Sequence, residues 1–548
     1  MRIQIGSLVL VIALVLHAAA LGQSRVYSAP KEDIEKIMRE GSGNSQVMKT
    51  ASYLTNAIGG RLTNSPNMRR ANKWTRDTLE GWGMQNARLE PWGEFGRGWS
   101  IEKFYAQISS PQAAPLIAYP KAWSPSTNGE ITADVVYIDD RENLEKYRGK
   151  LEGKIVLVSG VREIKADFEP PAVRHDAESL LRLANAPDPD SLPPRESSPD
   201  GLNAFVQRYV ENANFIKFLL EEKAALLVDN SRRGSGGTIF VGDAAVSQEF
   251  PDDPAKFLAK DRRLPYEKRS EAYMLPQITM ATEHYNRLVR MIEFGEDVRM
   301  TVDMRTRYHD EDLLAYNTIA EIPGSDPVLK DEIVMLGAHL DSEHPSTGAT
   351  DNAAGCAVVM EAARIILAAG LKPRRTIRIA LWSGEEQGIK GSRAYVFKHF
   401  GIRDDINPLY FSGVTFGEFT KKADYDKLSA YYNLDNGTGK IRGVYLQSNE
   451  KVAPIFRQWL MPFAEMGAST LTLRNTRGTD HLSFDSVGLP GFQFIQDEIE
   501  YDSKTHHSNQ DNFDRLQAED LKQASIIMAA FVYQTAMMDE KIPRKPLK

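Results

Sequence analysis

The 548-residue sequence has a single cysteine, Cys356. No internal disulfide can form, and metal sites built from cysteine clusters are excluded. Cys356 lies in an almost continuously apolar segment, so we predict that it is a small core residue. Without covalent cross-links the fold must depend on a hydrophobic core, which a chain of this length with 42% hydrophobic residues can build.

Clusters of positive charge are also missing. The formal net charge is −7, and the one short basic stretch is the C-terminal tail, residues 541–548, which we expect to be solvated. A nucleic-acid partner would require a basic surface, so the charge pattern argues against one.

Long hydrophobic runs are confined to the N-terminus. A charge at Arg2, an apolar run over residues 8–16 and small residues over 18–22 predict a secretory signal peptide, residues 1–22. The run is shorter than a membrane span, so we expect no stable membrane insertion after its removal; a retained N-terminal anchor is the alternative. The predicted location is periplasmic or extracellular. Since ATP and reduced nicotinamide are scarce there, a hydrolase or a binding protein is favoured.

Changes in pattern along the chain predict its domain organisation. Residues 31–90 are predicted to be helical, with helices at 33–39 and 67–82. Short β-branched runs after residue 125 indicate strands, and a polar, proline-rich stretch at 166–201 indicates an extended surface loop. The predicted units are the signal peptide (1–22), the first part of the main domain (23–124), an inserted smaller β-rich lobe (125–297), the catalytic part of the main domain (298–540) and the basic tail (541–548).

The main domain is predicted to be an α/β fold. Beyond residue 314, apolar strands alternate with helices, and residues 353–368 form an almost continuously apolar, hence buried, helix. This alternation is typical of a mostly parallel or mixed central sheet flanked by helices on both faces. The predicted strands are 333–338, 376–382, 428–434 and 492–495.

Acidic and imidazole side chains follow three of these strands. His339, the pair Glu385-Glu386 and Asp435 each come just after a strand, and sites in open α/β sheets form at the carboxyl ends of the strands. Any one of them alone would usually be a turn, a cap or a solvated residue. Their conjunction, without thiolates, favours a hydrolytic zinc centre, although manganese or cobalt could substitute. Further residues of the same kinds are Asp351, His506, His507 and Asp511; His309, His344 and His399 match no motif and are expected to be surface or structural.

The motifs AHLDS, GATDNAAG, WSGEEQG, NLDNGTG, GTDHLSF and HHSNQD occur in the order found in the co-catalytic di-zinc aminopeptidases of clan MH. The twelve-residue gap between His339 and Asp351, the segments GRLTNSP and FGRGWS, and the inserted lobe most resemble the carboxypeptidase Q branch. The lobe resembles a protease-associated domain, with GKIVLV as its most recognisable piece. The resemblance implies an exported zinc exopeptidase, an aminopeptidase or dipeptidase, that acts on peptides. The oligomeric state stays open, with a homodimer as one alternative.

The resemblance also implies roles for individual residues. Asp351 would bridge two zinc ions, Glu385 would be the general base, and Asp341 would orient His339. Asp480 and His481 would lie near the site, and Asp511 would support the last ligand. The implied metal ligands are His339 and Asp435 for one ion, Glu386 and His507 for the other, and Asp351 for both, with His506 as an alternative to His507.

Three other functions compete with this interpretation. One is a glutaminyl-cyclase-like aminoacyltransferase of the same fold with one zinc ion. The others are a non-catalytic receptor and a peptide-binding protein with structural metals. The complete ligand set and the additional carboxylate of Glu385 favour the hydrolase, because a structural zinc site has no use for a spare carboxylate beside a ligand.

Overall fold

The computed structural model describes residues 26–192, 199–249, 262–405 and 416–546. The predicted signal peptide, residues 1–22, lies outside these ranges. The helices are α1 (Lys31–Gly43), α2 (Val47–Ser52), α3 (Pro66–Gly81), α4 (Ala177–Ala184), α5 (Pro199–Glu221), α6 (Thr282–Glu293), α7 (Ala354–Ala368), α8 (Lys390–His399), α9 (Ala453–Leu460), α10 (His481–Asp485) and α11 (Ala518–Met537). The strands are β1 (Gln85–Glu94), β2 (Gly98–Ser110), β3 (Ala114–Pro115), β4 (Ala118–Pro120), β5 (Glu130–Tyr137), β6 (Ile155–Leu157), β7 (Leu226–Asn230), β8 (Gln277–Met280), β9 (Arg299–His309), β10 (Leu314–Ile322), β11 (Ile333–His339), β12 (Thr376–Trp382), β13 (Gly401–Asp405), β14 (Phe416–Lys421), β15 (Leu428–Asn433), β16 (Ile441–Tyr445), β17 (Thr470–Thr472) and β18 (Gly491–Gln496).

The first sheet has eight strands in the order β1-β10-β12-β11-β15-β18-β16-β17. Its centre, β12-β11-β15-β18, is parallel, whereas β1, β10 and β16 run antiparallel to a neighbour. The parallel strands are joined by helices, as crossover connections require. The predicted mixed α/β sheet flanked by helices is therefore confirmed.

The strand β11 shows why both faces of this sheet are covered. Val334 and Leu336 pack in the larger core cluster with α7 and α11, whereas Ile333 and Met335 face the opposite cluster with α8. Since successive side chains of a strand point to opposite faces, a strand that is apolar throughout must be buried on both sides. The predicted buried helix is α7, and Cys356 within it is fully buried, as predicted.

The second sheet also has eight strands, in the order β3-β2-β9-β5-β6-β7-β8-β4. The run β5-β6-β7-β8 is parallel, and β9 pairs antiparallel with both β2 and β5. The smaller β-rich unit of the predicted fold class is therefore present. Two of its long strands, β2 and β9, lie on either side of the predicted lobe 125–297, whose boundaries stay a prediction.

Two local predictions differ from the structure. The stretch 166–201 was predicted to be an extended loop, but it contains α4, which starts where Asp176 accepts a hydrogen bond from the Ser179 N–H at 2.7 Å. Such side-chain caps start helices even among prolines. Likewise β1 begins within the segment predicted as helical, and α11 was not predicted. Among the described helices, none is long and apolar enough to cross a membrane.

Candidate metal centre

The ends of β12, β11 and β15, which are neighbours in the first sheet, bring the residues that follow them to one edge. His339 is the last residue of β11, and its Nε2 lies 3.1 Å from Asp351 Oδ1 and 3.2 Å from Asp435 Oδ1. All three side chains are buried. One imidazole nitrogen and two carboxylate oxygens thus converge on a point from three different chain segments.

A second convergence lies on the other side of Asp351. His507 Nε2 is 2.8 Å from Glu386 Oε2 and 3.3 Å from Asp351 Oδ2. The two carboxylate oxygens of Asp351 therefore face two different histidines. Asp351 Oδ2 is buried and accepts no hydrogen bond from any part of the chain that the structure describes. A buried carboxylate oxygen without a donor is costly unless a cation neutralises it.

The position of His506 distinguishes it from His507. Its Nε2 lies 3.8 Å from Asp351 Oδ2, and its ring stacks on Tyr501 with centroids 4.6 Å apart. His507 is closer to Asp351 and also contacts Glu386. Of the two alternatives left open by the sequence, the geometry therefore favours His507.

Asp341 contacts His339 mainly through its backbone carbonyl. The Nδ1 of His339 lies 3.0 Å from the backbone carbonyl oxygen of Asp341 and 3.7 Å from its carboxylate Oδ1. The carboxylate Oδ2 instead accepts hydrogen bonds from the Thr63 hydroxyl at 2.9 Å and the Glu386 N–H at 3.2 Å. The backbone of Asp341 therefore sets the imidazole tautomer, and its side chain holds the turn that carries Glu386.

Asp511 holds the backbone around Asp351. Its two carboxylate oxygens accept hydrogen bonds from the Thr350 N–H at 2.6 Å and the Asp351 N–H at 3.1 Å. The Asp351–Asn352 peptide bond is cis, and Asn352 Nδ2 donates to the Leu434 carbonyl at 2.9 Å. The backbone around Asp351 is thereby tied both to the C-terminal region and to the end of β15.

The segment GRLTNSP holds the loop between His339 and Asp351. The buried guanidinium of Arg61 donates from Nε to the Leu340 carbonyl at 2.7 Å, and from Nη1 and Nη2 to those of Thr347 and Gly348 at 2.7 and 2.8 Å. Gly348 has φ +59°, and a Cβ there would lie 2.3 Å from the Ser342 Cβ. Glycine is needed at this turn for both reasons.

Residues in the connection between β7 and β8 of the second sheet, here called the second sheet region, hold the loop that carries His506 and His507. Arg233 donates to the His506 carbonyl at 2.9 Å. The Ile239 N–H donates to Asn509 Oδ1 at 2.8 Å, and the Asn509 N–H donates back to the Ile239 carbonyl at 3.1 Å. Residues of the second sheet region therefore help to position His507, which is far from them in sequence.

The electrostatics of the centre are those of crowded carboxylates. Burial raises the pKa of Glu386 to about 8, with Asp351 adding to the shift. Burial also raises the pKa of Glu385 well above its usual range, and Asp435 and Asp480 act in the same direction against the opposing effect of His339. A divalent cation would relieve this repulsion, so the donor set and its charge fit metal binding.

Asp480 and His481, which the resemblance places near the site, interact electrostatically with Glu385 and Asp435, respectively. Asp480 is fully buried, and burial raises its pKa to about 7 while its charge acts on Glu385. Burial lowers the pKa of His481 to about 4, so this imidazole is neutral at pH 7. The unmatched histidines make structural contacts: His309 with Ser100, His344 with the Pro120 carbonyl and His399 with Glu90.

Sequence reasoning missed one carboxylate of the centre. Glu343 places a ligand atom in a group with Glu386 and His507 whose members all lie within 4.8 Å of one another. Its position four residues after His339 was visible, but only the path of the loop brings it back to the histidine of a distant segment.

A cavity of about 630 Å³ is connected to the centre through two wall residues that neighbour it: Asn436 in sequence, and Tyr501 through its stacking on His506. Asn436, which follows Asp435, and Tyr501 form part of its wall, together with Arg474, Arg477 and Glu498. It is large enough for several amino-acid residues, and its wall carries both signs of charge.

Comparisons with known proteins agree with this architecture. Residues 317–532 match the model of peptidase family M28. Bovine carboxypeptidase Q is 24% identical over 520 residues, which are 94% of this chain and 91% of that protein. Aminopeptidase YwaD of Bacillus subtilis is 28% identical over 216 residues, 39% of this chain and 43% of that protein.

Solved structures share the fold. The peptidase M28 precursor from Shewanella amazonensis superposes with a TM-score of 0.63 at 22% identity and covers 94% of this chain and 98% of its own. BSAP, a zinc aminopeptidase from Bacillus subtilis, has a TM-score of 0.52 at 17% identity, with 91% and 96% covered. Together with the arrangement of His339, Asp351 and Asp435, these findings identify a peptidase family M28 segment at residues 317–532 of a chain that is similar to carboxypeptidase Q over most of its length, and they support a metallo-exopeptidase.

Proposed function

We propose that this chain holds two zinc ions and removes N-terminal residues from peptides or splits dipeptides. The observation that carries the proposal is the placement of Asp351, whose Oδ1 faces His339 at 3.1 Å and whose Oδ2 faces His507 at 3.3 Å. A carboxylate between two imidazoles in this way is suited to bridge two cations.

The residues present fit zinc in chemistry and number. His339, Asp435 and Asp351 Oδ1 would hold the first ion, and Glu386, His507 and Asp351 Oδ2 the second. Imidazole nitrogens and carboxylate oxygens are the usual ligands of hydrolytic zinc. When bound, paired zinc ions lower the pKa of a water molecule and polarise a peptide carbonyl.

Glu385 is the proposed general base. Its side chain is buried, and burial together with the neighbouring carboxylates raises its pKa, which makes it a stronger base. Its carboxylate would take a proton from the attacking water and pass that proton to the nitrogen of the leaving amine. Asp341 would keep His339 in place through its backbone carbonyl and Glu386 in place through its carboxylate.

The substrate would be a peptide with a free N-terminus. The ammonium group is attracted by the acidic centre, and the 630 Å³ cavity next to Asn436 offers space for the residues that follow the scissile bond. Arg474 and Arg477 on its wall are suited to a peptide carboxylate, so short substrates with a free C-terminus would gain most from them.

We also propose that the enzyme is exported and that its inserted lobe supports the metal centre. The predicted signal peptide would deliver the enzyme to the periplasm or the extracellular space, where free peptides are its substrates. The protease-associated-like lobe would support the His506–His507 loop, for which the contacts of Arg233 and Ile239 provide the physical basis. A homodimer stays a prediction that light scattering on the purified protein would test.

The test is a panel of aminoacyl reporters and free dipeptides, with and without chelator, on wild type and Glu385→Gln. We expect hydrolysis by the wild type, its loss on chelation, and a loss of at least a thousandfold in kcat for Glu385→Gln with zinc content unchanged. Elemental analysis supplies the last measurement. Hydrolysis that survives both treatments would refute the proposal, and cyclisation of N-terminal glutamine in place of hydrolysis would favour the aminoacyltransferase.

A further inference from the structure

Glu343 stands beside the second convergence of ligands but has no place in the ligand set given above. Its backbone N–H donates to Glu386 Oε1 at 3.1 Å, so that Glu386 Oε2 is left to face His507 at 2.8 Å. The side-chain oxygen of Glu343 joins the same group within 4.8 Å. One residue thus contacts the second site through its backbone and through its carboxylate.

The carboxylate of Glu343 is largely buried. Its side chain is 11% exposed, and Oε2 is buried without a hydrogen-bond partner in the described ranges of the chain. The Nδ1 of His344 lies 3.5 Å from this oxygen. Nε2 of His344 faces the Pro120 carbonyl at 2.7 Å, and its buried Nδ1 makes no hydrogen bond within the described ranges. A cation would stabilise the Glu343 carboxylate in this position.

A small cavity adjoins these groups and provides separate evidence. It has a volume of about 10 Å³, and its wall includes Glu343, Asp351, His507 and Asp511. That volume holds about one particle of the size of a water molecule. Three carboxylates and one imidazole around such a space would attract a cation more strongly than they would attract neutral water.

We propose that Glu343 is a fourth protein ligand of the second zinc ion, beside Asp351 Oδ2, Glu386 and His507. The proposal rests on the di-zinc function above and makes the two sites unequal. The first site has three protein donors, the number typical of catalytic zinc with an open position, whereas the second has four, the number typical of closed sites. The second ion is then held more tightly, and the open position belongs to the first.

The test is isothermal titration of zinc alone into the full-length, chelator-stripped protein. For the wild type we expect two bound zinc ions, one with higher affinity than the other. In Glu343→Gln we expect the affinity for the more tightly bound ion to fall by at least tenfold and the affinity for the other ion to stay unchanged. Glu386→Gln is the reference for loss of a ligand at the same site, and Glu311→Gln, an exposed glutamate, is the neutral control. Circular dichroism of each metal-free variant checks that it is folded.

A second variant keeps the test decisive if Glu343→Gln fails to fold. Glu343→Asp retains the charge on a shorter side chain, so its loss of affinity should be smaller than that of the glutamine variant or of Glu386→Gln. Two ions bound to Glu343→Gln with wild-type affinities would overturn the proposal, as would an aspartate variant that binds the second ion as poorly as Glu386→Gln. A wild type that binds fewer than two ions would instead refute the di-zinc function.

Discussion

Arg61→Met is expected to loosen the loop that separates His339 from Asp351. The guanidinium is fully buried and donates four hydrogen bonds of 3.1 Å or less to the carbonyls of Gly59, Leu340, Thr347 and Gly348. Methionine replaces the aliphatic part of the side chain but is shorter and donates no hydrogen bond. The substitution therefore removes the donors that hold the loop.

The change in the free energy of unfolding caused by Arg61→Met is the sum of two opposing contributions. Hydrogen bonds from a charged donor contribute about 1.5–3 kcal/mol each, so the loss of four is about 6–12 kcal/mol before compensation. Methionine avoids the desolvation of a buried guanidinium, which costs several kcal/mol. The free energy of unfolding should therefore fall by about 3–5 kcal/mol, because the lost hydrogen bonds and the carbonyl groups left without donors outweigh the avoided desolvation.

The assay is thermal unfolding of chelator-treated protein at a fixed scan rate, with hydrogen exchange followed over residues 340–348. We expect Tm to fall by roughly 3–5 °C, because an unfolding entropy of about 2.1 cal/mol/K per residue gives about 1 °C per kcal/mol for a chain of 548 residues, and we expect amides of the loop to exchange faster. Arg39→Met is the matched control, because Arg39 is 65% exposed and its ion pair with Glu35 spans 3.8 Å. Equal shifts in both variants, or an unchanged rate of loop exchange in Arg61→Met, would show that Arg61 does not hold the loop.

Three further predictions concern the carboxylates and the cavity. Asp511→Asn should weaken zinc affinity about 10- to 100-fold in a chelator competition, because an amide can accept only one of the two N–H groups at Asp351 and its predecessor. The hydrogen bonds of His399 and the neighbouring lysine outweigh burial and lower the pKa of Glu90 from 4.5 to about 2. Glu90 therefore stabilises the fold above about pH 4.5 and loses this effect as pH falls toward 2. Glu90→Gln should lower the free energy of unfolding by about 2 kcal/mol at pH 7 and leave it unchanged near pH 2, as measured by urea unfolding. A difference between the two proteins that is independent of pH would contradict this. Arg477→Ala should raise KM about tenfold for free dipeptides but not for dipeptide amides, and equal changes for both would refute a carboxylate contact.

Local pattern was sufficient for the parts of the centre that follow strands. His339 ends β11, and Glu386 and Asp435 come shortly after β12 and β15, so the rule for carboxyl ends of parallel strands brings them together without coordinates. The buried helix α7 was equally visible, because a helix that is apolar on all sides must be buried on all sides.

The parts that sequence could not supply depend on contacts between distant segments. Whether Asp511 meets His507 or the backbone of Asp351, and whether Glu343 turns toward Glu386, depends on the path of irregular loops that have no periodicity. That path is set by partners far away in the chain, such as Arg233, which lies 273 residues from the His506 carbonyl it binds. The sequence by itself determined which chemical groups are available and the strands that carry most of them. Only the tertiary structure decided which groups face each other, because burial makes every unpaired charge costly and forces each one onto whatever partner the packing brings within reach.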